Sequence, residues 1–356
     1  MSQDASLTIA TFNVNGIRTR LPHLLEWLRR EQPHIACLQE LKSADQGFPR
    51  SDIEAAGYHV RWVGQTSWNG VAVLTRGAPS KEIRRELPGD PSDSHARYLE
   101  VEAFGVIVAC LYLPNGNPQP GPKFDYKLKW FDRFIRHARK LHALDKPVIL
   151  AGDFNVVPTD EDIYNPRSWR KDALLQPESR ERYARLLDMG WVDALRAVHG
   201  DARIYTFWDY FRQHWERNAG LRIDHLLLNP VIAPFLRDAG VDRWVRDQHK
   251  PSDHAPTWIR LGLPVDEAGA AEPSRKSRTS ARRTSTGTTT AGKTSASSSA
   301  AKKSTAKKST ANKSFAKKTT AKKSAAKKST AKKSTAKKSI AKKSIAKKSA
   351  RSRRTT

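Results

Sequence analysis

Cysteine is almost missing from this chain: Cys37 and Cys110 are the only two, and each sits in an apolar run where a thiol behaves as a small buried hydrophobe. So few exclude a disulfide framework and a cysteine-built zinc site. Long apolar runs are missing as well, none approaching the roughly 18 residues of a membrane span. The first residues show no basic stretch followed by an apolar core of the kind that directs export. The expectation is a soluble protein of a reducing compartment, most simply a cytosol. Acidic residues vanish beyond Glu272. Because 28 of the 64 Lys and Arg residues lie from Pro273 onward, residues 1–272 hold 36 basic against 36 acidic side chains, and the final segment carries the whole net charge of +28.

What is present divides the chain in two. All ten Trp precede residue 273, which indicates a packed body, long enough for one large domain or two small ones. Short apolar runs predict strands at Leu7–Val14, His34–Gln39, Tyr58–Val63, Gly70–Thr75, Tyr98–Phe104, Val106–Leu113, Val148–Ala151, Ile223–Leu228 and Thr257–Leu261. Ala103-Phe104-Gly105 reads as a tight antiparallel connection. Apolar residues at three and four spacing predict helices over Leu21–Arg30, Phe124–Leu141 and Glu178–Met189. Mixed sheets flanked by helices, an α/β sandwich, follow. The body is expected to occupy residues 1–264 and a basic Lys/Ala/Ser/Thr-rich tail residues 265–356. Residues 301–350 form ten pentads such as Ala-Lys-Lys-Ser-Thr, with Asn312 the one break in the Lys pairs. Each pentad advances a helix by about 140°, so no apolar face accumulates and the tail is expected to be disordered when free. A flexible polycation binds phosphates without reading sequence.

Chemistry concentrates where apolar strands stop. Val148-Ile149-Leu150-Ala151-Gly152 ends at Asp153 and Asn155, and Gly152 reads as a residue that lets the backbone turn and approach a ligand closely. Period-two alternation would place Asp153 and Asn155 on one face, where a carboxylate and an amide can take a proton from water and hold it in line. The plainer alternative is that both cap a turn. Gln39-Glu40 closes a second run and Asn13, Asn15 and Gly16 a third, while Ser252-Asp253-His254 precedes the last strand. Asp224 lies inside Leu221–Leu228, where a carboxylate is unfavourable unless paired, and His254 is the obvious partner. Singly, Glu40 could be a solvated strand end, Asn13 a turn former, Asp224 a structural ion pair and His254 a surface histidine. Jointly, strand ends supplying Asn, Glu, Asp and His without Cys suit a hard, oxygen-ligated cation such as Mg²⁺ rather than zinc.

Six segments carry a resemblance. Thr11-Phe12-Asn13-Val14-Asn15-Gly16, Leu38-Gln39-Glu40, Leu111-Tyr112-Leu113-Pro114-Asn115-Gly116, Gly152-Asp153-Phe154-Asn155, Leu221-Arg222-Ile223-Asp224 and Lys250-Pro251-Ser252-Asp253-His254-Ala255-Pro256 resemble, in order and spacing, the motifs of the exonuclease III family of AP endonucleases. The similarity runs from about Thr8 to about Leu263. It implies a four-layer α/β sandwich, two packed mixed sheets with helices outside and the site at one rim. It implies Glu40 as principal Mg²⁺ ligand, with Asn15 nearby, Asp253 as a further contact, and Mn²⁺ as an alternative ion. Asp153 would activate the attacking water, Asn155 orient it, Asn13 hold the site together, and His254, steadied by Asp224, contact the scissile phosphate with Tyr112. The substrate implied is duplex DNA with abasic or 3′-blocked lesions, bound by a monomer without a membrane. Asn115 would touch it, and Phe207 and Trp208 of Tyr205-Thr206-Phe207-Trp208 would wall a pocket for a flipped, baseless sugar. Asn15 is Asp in some relatives, and Leu221 stands where some carry Trp. The tail resembles those of linker histones and some bacterial nucleoid proteins, so association with a nucleoid, or residence in a nucleus if eukaryotic, is expected. Two competing readings remain: a hydrolase of the same fold acting on other phosphoesters, which should lack the Tyr-Thr-Phe-Trp wall, and an architectural DNA-binding protein relying on the tail.

Overall fold

Alternate residues of Val148–Ala151 pack in opposite directions, and that explains the architecture. Ile149 and Ala151 join one apolar core, Val148 and Leu150 another, so the strand must be covered on both faces. A computed structural model describes residues 6–263, in which the elements follow in the order β1 (Leu7–Asn13), α1 (Ile17–Glu31), β2 (Ile35–Gln39), α2 (Arg50–Ala55), β3 (Tyr58–Val63), β4 (Val71–Arg76), β5 (Lys81–Arg84), β6 (Tyr98–Ala103), β7 (Val106–Tyr112), α3 (Pro122–His142), β8 (Val148–Asp153), α4 (Pro166–Trp169), α5 (Pro177–Asp188), β9 (Val192–Asp193), α6 (Ala194–His199), β10 (Asp224–Leu228), β11 (Leu236–Val241) and β12 (Thr257–Leu261). The Lys-rich tail, and the expectation attached to it, lie outside the described residues.

The strands form two six-stranded sheets, ordered β11-β12-β1-β2-β4-β3 and β5-β6-β7-β8-β10-β9. Their facing surfaces enclose a core that includes Leu7, Ile9, Val73, Val108, Ile149 and Leu226, with both cysteines buried in it as free thiols. Outside the first sheet, Leu24, Trp27 and Leu28 of α1 and Ile53 of α2 cover Ala10, Phe12, Leu38 and Leu74. Outside the second, Trp130, Phe131 and Phe134 of α3 and Tyr183 and Leu186 of α5 cover Ile107, Leu150 and Leu227. The fold is the four-layer α/β sandwich expected.

All nine predicted strands form, with ends that match or are shifted by at most two residues, and the connection at Phe104-Gly105 is a two-residue hairpin, both residues at positive φ and Ala103 paired with Val106. Three further strands escaped the pattern. β5, β9 and β11 are sheet edges, where one side meets water and the apolar alternation that marks a strand is lost.

Gly152 has a different purpose from the one expected. It stays within β8, and a Cβ built on it would lie 1.9 Å from the carbonyl oxygen of Leu111 on β7. What approaches closely there is the neighbouring strand, not a ligand.

Candidate active site

Strand direction gathers the six motifs. β1 and β2 run parallel, as do β7 and β8, so Asn13, Gln39, Tyr112 and Asp153 end their strands at one rim. β10 is antiparallel to β8 with Asp224 opposite Asp153, and β12 is antiparallel to β1 with Thr257 opposite Thr11, so both chains enter from that same rim. Arg222 anchors the approach to β10: it is buried and paired with Asp162 at 2.5 Å and Asp193 at 2.7 Å.

Asn13 joins the two sheets. Its Nδ2 donates to Glu40 Oε1 at 3.0 Å and to Asp153 Oδ2 at 2.9 Å, and Tyr112 Oη donates to the same Glu40 oxygen at 2.8 Å. His254 Nδ1 lies 2.8 Å from Asp224 Oδ2, and its Nε2 lies 3.8 Å from Asp153 Oδ2. Ser252 Oγ donates to Asn13 O at 2.7 Å, pinning the segment before β12 to β1. Asn155 lies beside Asp153, though not by alternation along a strand. β8 ends at Asp153, Asn155 adopts φ 48°, and its own N–H donates to Asp153 Oδ1 at 2.8 Å. Its carboxamide donates to Leu113 O at 2.9 Å and accepts from Asn115 Nδ2 at 3.0 Å. One amide hydrogen and one lone pair remain.

Burial sets the charges. It pushes Asp153 up to about 7; the His254 cation opposes that, while the negative Asp224 and Glu40 add to it. Burial works against the His254 cation too, but Asp224 foremost, with Asp153 and Asp253, together outweigh it and carry the imidazole up to about 10. His254 is therefore an imidazolium at neutral pH. The Glu40 carboxyl, raised by burial, is held below its ordinary value by the Lys42 ammonium and the Asn13 hydrogen bond. Burial and the neighbouring carboxylates of Glu40 and Asp153 lift Tyr112 well above the ordinary phenol range, so it keeps its proton and acts as a donor. The arrangement offers a poised base, a fixed cation and a neutral donor within one rim.

Among the described residues, two groups could hold a metal. Lys42 Nζ lies 2.7 Å from Glu40 Oε2 and 2.5 Å from Asn15 Oδ1, which shows that these oxygens converge on one cationic position. Asp253 Oδ1 accepts from Asn15 Nδ2 at 2.8 Å and brings a further carboxylate. This all-oxygen set fits a hard divalent cation. Ligand atoms of Asp153, Asp224 and His254 also lie within 4.8 Å of one another. His254 Nδ1 there is bonded to Asp224 Oδ2 and its Nε2 is turned toward Asp153, so we read that group as an acid–base relay.

The substrate-contact residues divide. Asn115 is exposed at the rim, and Phe207 is half-buried with its ring 5.0 Å from that of His254. Trp208 requires correction: it is fully buried, edge-on to Trp215 with its indole N–H on Asn218, and presents no surface to a ligand. Successive residues of an extended chain point in opposite directions, so Phe207 reaching the site sends Trp208 into the core. Sequence reasoning passed over Lys42 and gave no role to Ser252 or Thr206, although both lie in motifs it singled out. Thr206 Oγ1 accepts the backbone N–H groups of both Ile223 and Asp224 at 3.1 Å, which ties the aromatic segment to the start of β10. A buried hydroxyl inside an aromatic run was the only available signal.

Two packed sheets with acids, amides and an imidazolium at one rim define a hydrolase of phosphate esters. Residues 10–254 match the endonuclease/exonuclease/phosphatase family, and the chain belongs to it. Exodeoxyribonuclease III of Haemophilus influenzae is 37% identical over 265 residues, spanning 70% of this chain and 98% of its own. Among solved structures, the 3′ phosphatase NExo from Neisseria bound to product DNA hairpin is 36% identical with a TM-score of 0.70, covering 72% of this chain and 99% of its own. An AP endonuclease from Archaeoglobus fulgidus is 34% identical with a TM-score of 0.69 and the same coverage of 72% and 99%. The chain is a hydrolytic nuclease.

Proposed function

We propose that this protein is a Mg²⁺-dependent DNA repair nuclease that cuts duplex DNA on the 5′ side of an abasic site, leaving a 3′ hydroxyl. Companion activities are 3′-to-5′ exonuclease and removal of 3′ blocking groups, and Mn²⁺ can replace Mg²⁺. The observation that carries the reading is the buried Asp153 carboxyl, set near neutrality between Asn155 and the His254 imidazolium and joined through Asn13 to Glu40. The names of its relatives support DNA as substrate.

Asp153 takes the proton of the attacking water, and the free hydrogen and lone pair of Asn155 orient that water. His254 and Tyr112 donate to the scissile phosphate, with Asp224 fixing the imidazole and its charge. Glu40, with Asn15 and Asp253, would hold the cation, which when bound would supply Lewis acidity at the developing negative charge. Asn115 touches the DNA. Phe207 walls an apolar pocket, and selectivity follows because a baseless sugar is easily unpaired and small enough to enter it.

The test is a labelled duplex with one abasic analogue beside an intact duplex, each with Mg²⁺ or excess EDTA. Cleavage at the analogue alone, abolished by EDTA and restored by Mg²⁺, is expected. Undiminished cutting in EDTA would end the metal-dependent reading; equal internal cutting of both duplexes would end the abasic one.

The tail, by this reading, tethers the body to DNA near a nucleoid or in a nucleus. If about ten of its charges engage phosphates, log affinity falls with log salt at a slope near −9. A chain ending at Glu272 should bind duplex with a much shallower slope. The same slope with and without the tail would sink the tether.

A further inference from the structure

Helix α3 buries a lysine. Its inner face repeats at three and four residues through Phe124, Lys127, Phe131 and Phe134, so Lys127 holds a core position in an apolar stripe, with no exposed surface. A charged side chain is rarely found so placed unless it is bound by something specific. Desolvation pulls its amine down to about 7, while Asp172 and Asp153 act in the opposite direction.

Both bonds that Nζ donates end on backbone carbonyls, at 2.6 Å to Asn155 O and 3.0 Å to Asn115 O. These are the residues after β8 and β7 whose carboxamides bond each other at the rim. The fit is close: a Cβ on Gly116, itself at φ 94°, would lie 2.6 Å from Lys127 Cδ. Asn155 sits in the left-handed region, which asparagine enters more readily than most residues other than glycine, so its exact setting depends on what holds its backbone.

We propose that Lys127 is a positioning residue for hydrolysis: by tying the carbonyls of Asn115 and Asn155 to α3, it holds the left-handed turn that aims the Asn155 carboxamide. This rests on the reading of Asn155 as the residue that orients the attacking water. Lys127 has no exposed surface with which to meet water or DNA. It acts through the backbone of two residues that, by this reading, meet them.

The test compares Lys127→Met, Asn155→Ala and the double variant in cleavage of the abasic duplex, with Mn²⁺ binding to the DNA-free protein and thermal melting alongside. Lys127→Gln, which keeps the position polar, is assayed in parallel in case the Met chain does not fold, and the same outcome is expected of it. The folded Lys127 variant should lose kcat on the order of 10- to 100-fold, as small displacements of positioned groups do, with KM and Mn²⁺ affinity little changed. The double variant should be no slower than Asn155→Ala alone, because both changes disable one device. Full kcat in a folded Lys127 variant beside an impaired Asn155→Ala overturns the positioning role alone. So do losses that multiply in the double variant, or a loss confined to KM or metal affinity. Parent-like cleavage by Asn155→Ala overturns the role given to Asn155, and this proposal with it.

Discussion

Asp153→Ala should lower the single-turnover rate of abasic cleavage by about 10³- to 10⁴-fold, the upper part of what a positioned general base contributes. Binding of the abasic duplex should change little, since Asp153 is only 1% exposed and is enclosed by the Asn13 carboxamide, the Asn155 backbone N–H and the His254 imidazole. The fold should survive, because the variant also removes a carboxylate that burial disfavours in its charged form. The pH profile makes the argument specific. A base works only when ionised, and burial has raised this one to about 7, so the parent rate should climb as pH rises toward neutrality. A bound cation adds positive charge and moves that climb to lower pH. Asp153→Ala should have a low rate without the climb. A variant within tenfold of the parent, or one retaining the same acidic limb, would show that another group takes the proton.

How much of this could be read from residues alone follows physical lines. Strands buried on both faces announced themselves, since β1, β2, β7 and β8 need apolar or small side chains at nearly every position. The edge strands β5, β9 and β11 lack that demand and left no pattern. The polar ends Asn13, Glu40, Asp153, Asp224 and His254 were visible as interruptions of apolar runs, but their meeting was not. It depends on which strands run parallel, a matter of sheet order rather than local composition. Lys42 and Lys127 were hidden because lysine is ordinarily read as solvated, although Lys127 stood at a core spacing of α3. Trp208 was misplaced because two adjacent aromatics in an extended segment cannot both face one pocket.

Asp224→Asn is the second change expected to have a large effect, and it acts through charge with little change of shape. Asp224 Oδ2 holds His254 Nδ1 at 2.8 Å, while Oδ1 is buried without a hydrogen bond, so its charge is answered chiefly by the imidazole. An amide keeps the geometry but no longer favours the cation. Burial then opposes only the weaker pull of Asp153 and Asp253, and His254 should fall from about 10 toward its ordinary value. Near pH 8 the parent presents an imidazolium to the phosphate and the variant a neutral ring. A loss of kcat of about 10²- to 10³-fold is expected there, comparable to removing a preorganised donor, with a smaller loss near pH 6, where part of the variant's imidazole recovers its proton. Stability has the matching sign. The folded pKa of His254 lies above the unfolded value, so the pair contributes fully below about pH 6.5, and its contribution disappears as pH rises through about 10. The parent should therefore lose melting temperature between neutral and strongly alkaline pH by more than Asp224→Asn does. Titration of the His254 ring protons by NMR in both proteins decides the matter: unchanged titration in the variant would mean that Asp224 does not set the charge, and a loss of rate independent of pH would mean that it serves geometry instead.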